Sequence, residues 1–314
     1  MLNDNHKGHL SAITANIIFG INISITKSLF TENWMSPLGY SITRLFFGLA
    51  VFWTLSFFVG RERIAPKDFP LIAGGGFIGI AVTQLAFFYA LQFTTPVTMS
   101  LLNAMGPIAV LLLSALFLKD PVSLKKALGV IIGISGAALV VLKTGSAGAS
   151  SNSFWGISLA MVSLICNSFY IIMIRKISAK YSSLTLMKWM FLTATIVLTP
   201  FGISELPKQR VLSAEVTLVA FLQLGYILVL TGVIGLLLVP TALKRIKATT
   251  VSMYTNLQPL VASLTAILIG QDQFTWDKII ALFLIISGVY LITQSKSGGA
   301  IIDFRAKQCK NDKL

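Results

Sequence analysis

Apolar residues along this chain run in long unbroken blocks, and polar residues gather in short stretches between them. Ten blocks stand out, at positions 10–29, 38–59, 69–93, 97–118, 126–142, 154–174, 184–203, 217–243, 248–269 and 275–293. A helix needs about 20 residues to cross roughly 30 Å of hydrocarbon, and the blocks are of that size. Strands of a membrane barrel need only about 10 residues of alternating character, and no such alternation runs through them. Because backbone groups in lipid must bond within their own segment, the pattern predicts helices. The fold class it implies is an all-α membrane protein of ten transmembrane helices. The first block contains Asn16 and Asn22 and reaches Lys27 without a small-residue cleavage pattern, so it reads as a spanning helix rather than a signal peptide.

Composition agrees: 55% of the 314 residues are hydrophobic and 11% charged, where soluble domains have roughly a quarter charged. The net charge of +14 raises nucleic-acid binding as a reading, but the 25 basic residues lie between or just beyond the blocks and form no continuous face. No nucleic acid is expected as a partner; membrane lipids are. The basic residues also give a direction. With the N-terminus inside, the inner segments at 7, 61–67, 119–126, 175–180, 244–247 and 296–313 hold 18 of the 25. The outer segments hold Lys27, Lys143, Lys208, Arg210 and Lys278. Positive residues stay preferentially on the cytoplasmic side, so a multi-pass protein of the cell inner (plasma) membrane with both termini cytoplasmic is expected.

The blocks repeat. A shift of 152 residues lays Thr98, Ser100, Pro107, Leu112, Leu116, Asp120, Lys126 and Gly136 onto Thr250, Ser252, Pro259, Leu264, Leu268, Asp272, Lys278 and Gly288 without a gap. A slightly shorter offset brings Phe19 to Asn22 onto Asn167 to Tyr170. The chain therefore divides into a five-helix repeat at 1–145, a second at 150–294 and a basic cytoplasmic tail at 295–314. Five is odd, so the two repeats should lie inverted in the membrane. Inverted repeats are a recurring carrier architecture that places a solute near the bilayer midplane, between the halves.

Two motifs point further. Asp120 is followed at the third position by Ser123 and then by Gly133 and Gly136, and Asp272 by Thr275 and then by Gly288. Phe19-Gly20-Ile21-Asn22 lies in the first helix and Arg44 in the second. In these features, and over nearly the whole spanning region, the chain resembles the EamA-type members of the drug/metabolite transporter superfamily. Those members usually carry Glu at the two acidic positions and Trp at the place of Phe19. The resemblance implies a ten-helix inverted-repeat secondary carrier working by alternating access, often an exporter of amino acids or related small metabolites. It implies no cofactor, and a homodimer is compatible with it without being specified.

Polar side chains at membrane depth should face the bundle interior, since an amide without a partner in lipid costs several kcal/mol. The candidate substrate-binding residues on this ground are Asn16, Asn22, Gln84, Tyr89, Asn103, Asn167, Tyr170, Tyr254, Asn256 and Gln258. Singly, each also fits a structural hydrogen bond; as a set they would line a path between the halves. Pro107 and Pro259 sit deep in helices four and nine, where each removes a backbone donor and bends the helix, either widening a cavity or only adjusting packing. Arg44 and Lys188 lie a turn or two inside helices two and seven; as intramembrane cations they are functional candidates, while both are also close enough to an interface to snorkel along their stems. Trp53, Trp155, Trp189 and Trp276 read as interfacial anchors. His6 and His9 read as a solvated terminus, and Cys166 and Cys309 have no metal or disulfide spacing.

No acidic residue sits at predicted mid-membrane. Gly74-x-Gly76-x-x-Gly79 matches a dinucleotide fingerprint only as a string, since it lies within an apolar helix. Gly75 with Gly79 and Gly129 with Gly133 read better as small-residue faces for close helix approach. An intramembrane enzyme would need a nucleophile and an acid and base at one depth, which the sequence does not show. A receptor or scaffold would need larger loops than these. Neither metal nor catalytic residues are expected.

Overall fold

The structure, a computed structural model, describes residues 4–58, 62–118, 123–146, 151–174, 177, 180–213, 215–243, 245, 254–273 and 275–294. Among these it is helical with no strand. The α-helices are α1 (Asp4–Thr31), α2 (Pro37–Phe58), α3 (Phe69–Gly75), α4 (Thr83–Phe93), α5 (Pro96–Asn103), α6 (Gly106–Leu118), α7 (Leu124–Ser146), α8 (Ser151–Ile174), α9 (Ser183–Gly202), α10 (Leu218–Gly225), α11 (Leu236–Leu243), α12 (Leu257–Leu268) and α13 (Trp276–Gln294). Two π-helical segments, Gly76–Val82 and Tyr226–Gly235, join α3 to α4 and α10 to α11 into continuous rods.

Among the described residues, seven stretches are long and apolar enough to cross a membrane: His6–Thr31, Pro37–Phe58, Pro66–Phe93, Pro96–Phe117, Phe154–Ile174, Ser183–Lys208 and Leu218–Val239. Seven of the ten sequence blocks thus have a span of that quality. Of the other three, 126–142 and 275–293 fall in α7 and α13, helices of 23 and 19 residues. Lys125, Lys126 and Lys143 in the first, and Asp277 with Lys278 in the second, charge their ends. Block 248–269 begins outside the described residues and ends in α12, a 12-residue apolar helix.

Where the sequence predicts one helix over 97–118, the chain turns at Ala104 and Met105 between α5 and α6. Pro107 cannot donate to the Asn103 carbonyl, and the backbone tightens instead, with Met105 N donating to Leu102 O at 3.1 Å and Ile108 N to Met105 O at 2.9 Å. A turn at Thr255 and Asn256 likewise precedes Pro259, and Gln258 N donates to Thr255 O at 3.1 Å.

Small residues set which helices meet. A Cβ on Gly129 would come 2.6 Å from Gly288 O, and one on Gly136 2.9 Å from Ala281 O, so α7 and α13 pack backbone to backbone. Elsewhere α2 lies on α9, α4 on α8, and α1 on both α11 and α12. Phe57, Phe58, Leu116, Phe154, Trp155, Trp276 and Phe283 point outward, as expected of surfaces facing lipid.

Candidate functional site

Three polar seams join α1 to its neighbours. Along α12, Gln258 Nε2 donates to Asn16 Oδ1 at 2.8 Å, and Asn16 Nδ2 donates to Ala12 O at 2.7 Å, so both ends of this 2% exposed amide are bonded. Further on, the Ser24 and Thr265 hydroxyls lie 2.9 Å apart, and Gln271 Nε2 donates to Ser28 Oγ at 2.7 Å and Ser24 O at 3.0 Å. Partner numbers rise together along both helices, so α1 and α12 run in the same direction.

The second seam ties the far end of α1. Lys27 Nζ donates to Leu91 O and Gln92 O at 2.9 and 2.8 Å, at the end of α4. Val211 N donates to Trp34 O at 3.2 Å, and buried Gln209 accepts from Ser36 N at 2.7 Å and donates to Glu205 O at 2.6 Å. A cavity of about 200 Å³ opens at this end, lined by Phe30, Trp34, Ser36, Gln92, Glu205 and Gln209 among others. At the opposite end, Tyr181 Oη donates to Asp68 Oδ2 at 2.9 Å beside Lys180, and Ser182 Oγ donates to Glu62 Oε2 at 2.9 Å. Partial burial would raise the Glu62 carboxyl, but hydrogen bonds from Thr185 and from the Ser182 amide and hydroxyl outweigh it and hold the pKa below its ordinary 4.5.

Between these ends lies the third group, drawn from four elements. Thr231 Oγ1, in the second π segment, donates to Asn22 Oδ1 of α1 at 3.2 Å. Tyr40 of α2 is 1% exposed; its hydroxyl lies 3.2 Å from Thr26 Oγ1 and also against Asn22 and Arg44. The Arg44 guanidinium stands 5.8 Å from the Phe88 ring centroid of α4, and its Nε is buried without a hydrogen-bond partner. Phe30, Tyr40 and Phe88 pack edge to face, with centroids 4.4 to 6.4 Å apart, between this group and the cavity that Phe30 also lines. Asn22 is nine residues from the end of α1 and Arg44 seven from the start of α2, so at 1.5 Å per residue they lie about 13 and 10 Å inside.

Of the candidates read from sequence, Asn16, Asn22 and Gln258 are therefore tied to other elements. Tyr254 is too, but to His9, whose Nδ1 lies 2.9 Å from its hydroxyl; the half-buried His9 is thus not the solvated residue expected of a terminus. Tyr170 lays its ring over Gly79, in contact with the place a Cβ would take. Gln84, Tyr89, Asn103, Asn167 and Asn256 are half-buried and make no side-chain hydrogen bond among the described residues. Sequence reasoning missed Thr26, Tyr40 and Thr231, hydroxyl residues common enough in apolar helices to carry no signal alone. Arg44 and Lys188 were open between a functional and a snorkelling role; Arg44 turns toward Tyr40 and Phe88, and Lys188 Nζ sits 4.1 Å from the Trp53 ring centroid and 5.8 Å from that of Trp189.

The family model for the EamA-like transporter family matches twice, over residues 6–142 and again over 154–294. An Archaeoglobus fulgidus protein described as an uncharacterized transporter is 24% identical over 276 residues, covering 87% of this chain and 95% of its own. The Bacillus subtilis uncharacterized transporter YyaM is 23% identical, with 87% and 89% covered. A WAT1-related protein of Arabidopsis thaliana is 22% identical, with 92% and 88% covered. One crystal structure superposes with a TM-score of 0.58 at 19% identity, over 89% of this chain and 98% of that one, a likeness of fold.

Proposed function

The chain belongs to the EamA-like transporter family, and from that premise we propose that it is a secondary carrier moving amino acids or related small metabolites by alternating access. In this reading ten helices form two inverted five-helix repeats, 1–145 and 150–294, and the solute binds between them. The observation that carries it is the deep polar group of Asn22, Tyr40, Arg44 and Thr231, which takes residues from both repeats. The double family match supports the division. So does the reciprocity of the packing, since α4 of the first half lies on α8 of the second while α11 of the second lies on α1 of the first. The parallel course of α1 and α12 is what first and ninth helices of such a bundle require.

The proposed setting is the cell inner membrane with both termini cytoplasmic, which rests on the distribution of basic residues. Outward movement is proposed from the family resemblance. The extra readings, an intramembrane enzyme or a receptor, gain no support from this group: it offers an arginine, an amide and hydroxyls, and no carboxylate or imidazole beside them among the described residues. Counterflow into proteoliposomes, screened against amino acids, nucleosides and organic cations, tests the reading. Accelerated uptake of a labelled solute against its own gradient is expected. No flux across the panel, together with turnover of a lipid, contradicts it.

A further inference from the structure

We propose that Arg44 is the receptor for a carboxylate of the cargo, which makes the transported solute a small monocarboxylate-bearing metabolite. The inference rests on the carrier reading and narrows its substrate class. A guanidinium keeps its charge at any physiological pH and carries five donors in a planar fork. Removed from water, such a charge costs several kcal/mol unless an opposite charge and hydrogen bonds compensate. Arg44 is half-buried with its Nε wholly so, and around that atom the compensation is incomplete. Its neighbours are the Tyr40 hydroxyl and the Phe88 ring, and no carboxylate pairs with it among the described residues. Its Nε, one of the two donors with which the fork grips a carboxylate side-on, has no partner.

The other cations within the spans differ in this respect. Lys27 is engaged by two carbonyls at the end of α4, and Lys188 lies on the faces of Trp53 and Trp189. One unpaired guanidinium balances one negative charge, which favours a carboxylate over a doubly charged phosphate. Asn22 and Tyr40 add neutral donors on the same side, and the Phe30, Tyr40 and Phe88 rings close the group from the cavity beyond. A solute anion arriving here would complete an ion pair that the protein leaves half made.

The test compares matched solutes, each acid with its own primary amide and methyl ester, in counterflow into phosphatidylcholine vesicles, which offer no anionic headgroup to compete. The wild-type chain should move the acid and neither neutral analogue. Arg44→Gln should weaken apparent affinity for the acid by about tenfold to a hundredfold, with Arg44→Lys in between. Equal movement of acid and amide by the wild type, or an acid preference that survives in Arg44→Gln, overturns the proposal. If the wild type moves no solute at all, the carrier reading fails, and thermal stabilisation decides the site separately. Stabilisation by the acid but not the amide, lost in Arg44→Gln, upholds the carboxylate receptor; its absence overturns that too.

Discussion

Asn16 and Gln258 show what one amide pair does where a buried asparagine meets a half-buried glutamine between two apolar helices. Removing one amide strands the other, so Asn16→Ala should cost about 1–3 kcal/mol, read as a lower Tm in detergent. In a double-mutant cycle the pair should show a coupling of about 0.5–3 kcal/mol, and additivity would mean that the bond contributes nothing. Glu62 gives a pH signature at the same scale. Its carboxyl is held below 4.5 by Ser182 and Thr185, so the stabilisation it gives is full above that value and is lost as pH falls through the folded pKa. The Tm advantage of wild type over Glu62→Gln should therefore shrink on acidification; an advantage that grows instead contradicts the assignment. Asn16, Asn22 and Gln258 were legible in sequence because a buried amide in an apolar block gains from a partner, although Gln84, Asn103, Asn167 and Asn256, singled out by the same reasoning, make no side-chain hydrogen bond among the described residues. Tyr40 and Thr231 were not, because nothing along the chain announces that positions 209 apart, as Asn22 and Thr231 are, will meet. Arg44 was legible only as two alternatives, because its distance from the helix start lets a flexible stem reach in either direction.

At the scale of elements, the glycines explain the tightest contacts. A Cβ at Gly288 would fall 2.5 Å from Gly129 O and 2.7 Å from Gly133 N, so Gly288→Ala must push α7 away from α13. A loss of about 1–3 kcal/mol is expected, seen as a lower Tm, and an unchanged Tm would mean that the two helices do not touch there. The small-residue character of Gly129 and Gly133 was visible in sequence, while their partner helix was not. The π segments were wholly hidden. In a block apolar on every face, a change of helical period alters no pattern. Bonds beside them appear only in space, where Ser163 Oγ donates at 2.9 Å to the O of Thr83, just after the first segment, and Tyr226 Oη, at the start of the second, to Ile18 O at 3.0 Å. The breaks before Pro107 and Pro259 were legible as disturbances, since a proline deep in a helix must release a carbonyl.

For the whole molecule, the apolar blocks and their repetition led to a helical membrane protein, and family membership agrees with that. What sequence could not supply is which end is stitched shut. The described residues show ties at both, and those of Ser36, Trp34, Gln209 and Val211 bind the α1–α2 turn to the turn after α9, above the ring cluster of Phe30, Tyr40 and Phe88. If the proposed alternating access holds, these ties open once per cycle. With Cys166 and Cys309 replaced by Ser, Ser36→Cys and Gln209→Cys put one thiol on each side of the contact in which Gln209 Nε2 donates to Ser36 Oγ at 3.2 Å, and a short bis-methanethiosulfonate linker replaces the reach of the longer glutamine stem. Counterflow of a transported solute, measured in proteoliposomes before and after treatment with that linker, should be abolished by the crosslink and restored by reductant. Full counterflow with the crosslink complete would contradict a carrier that opens at this end.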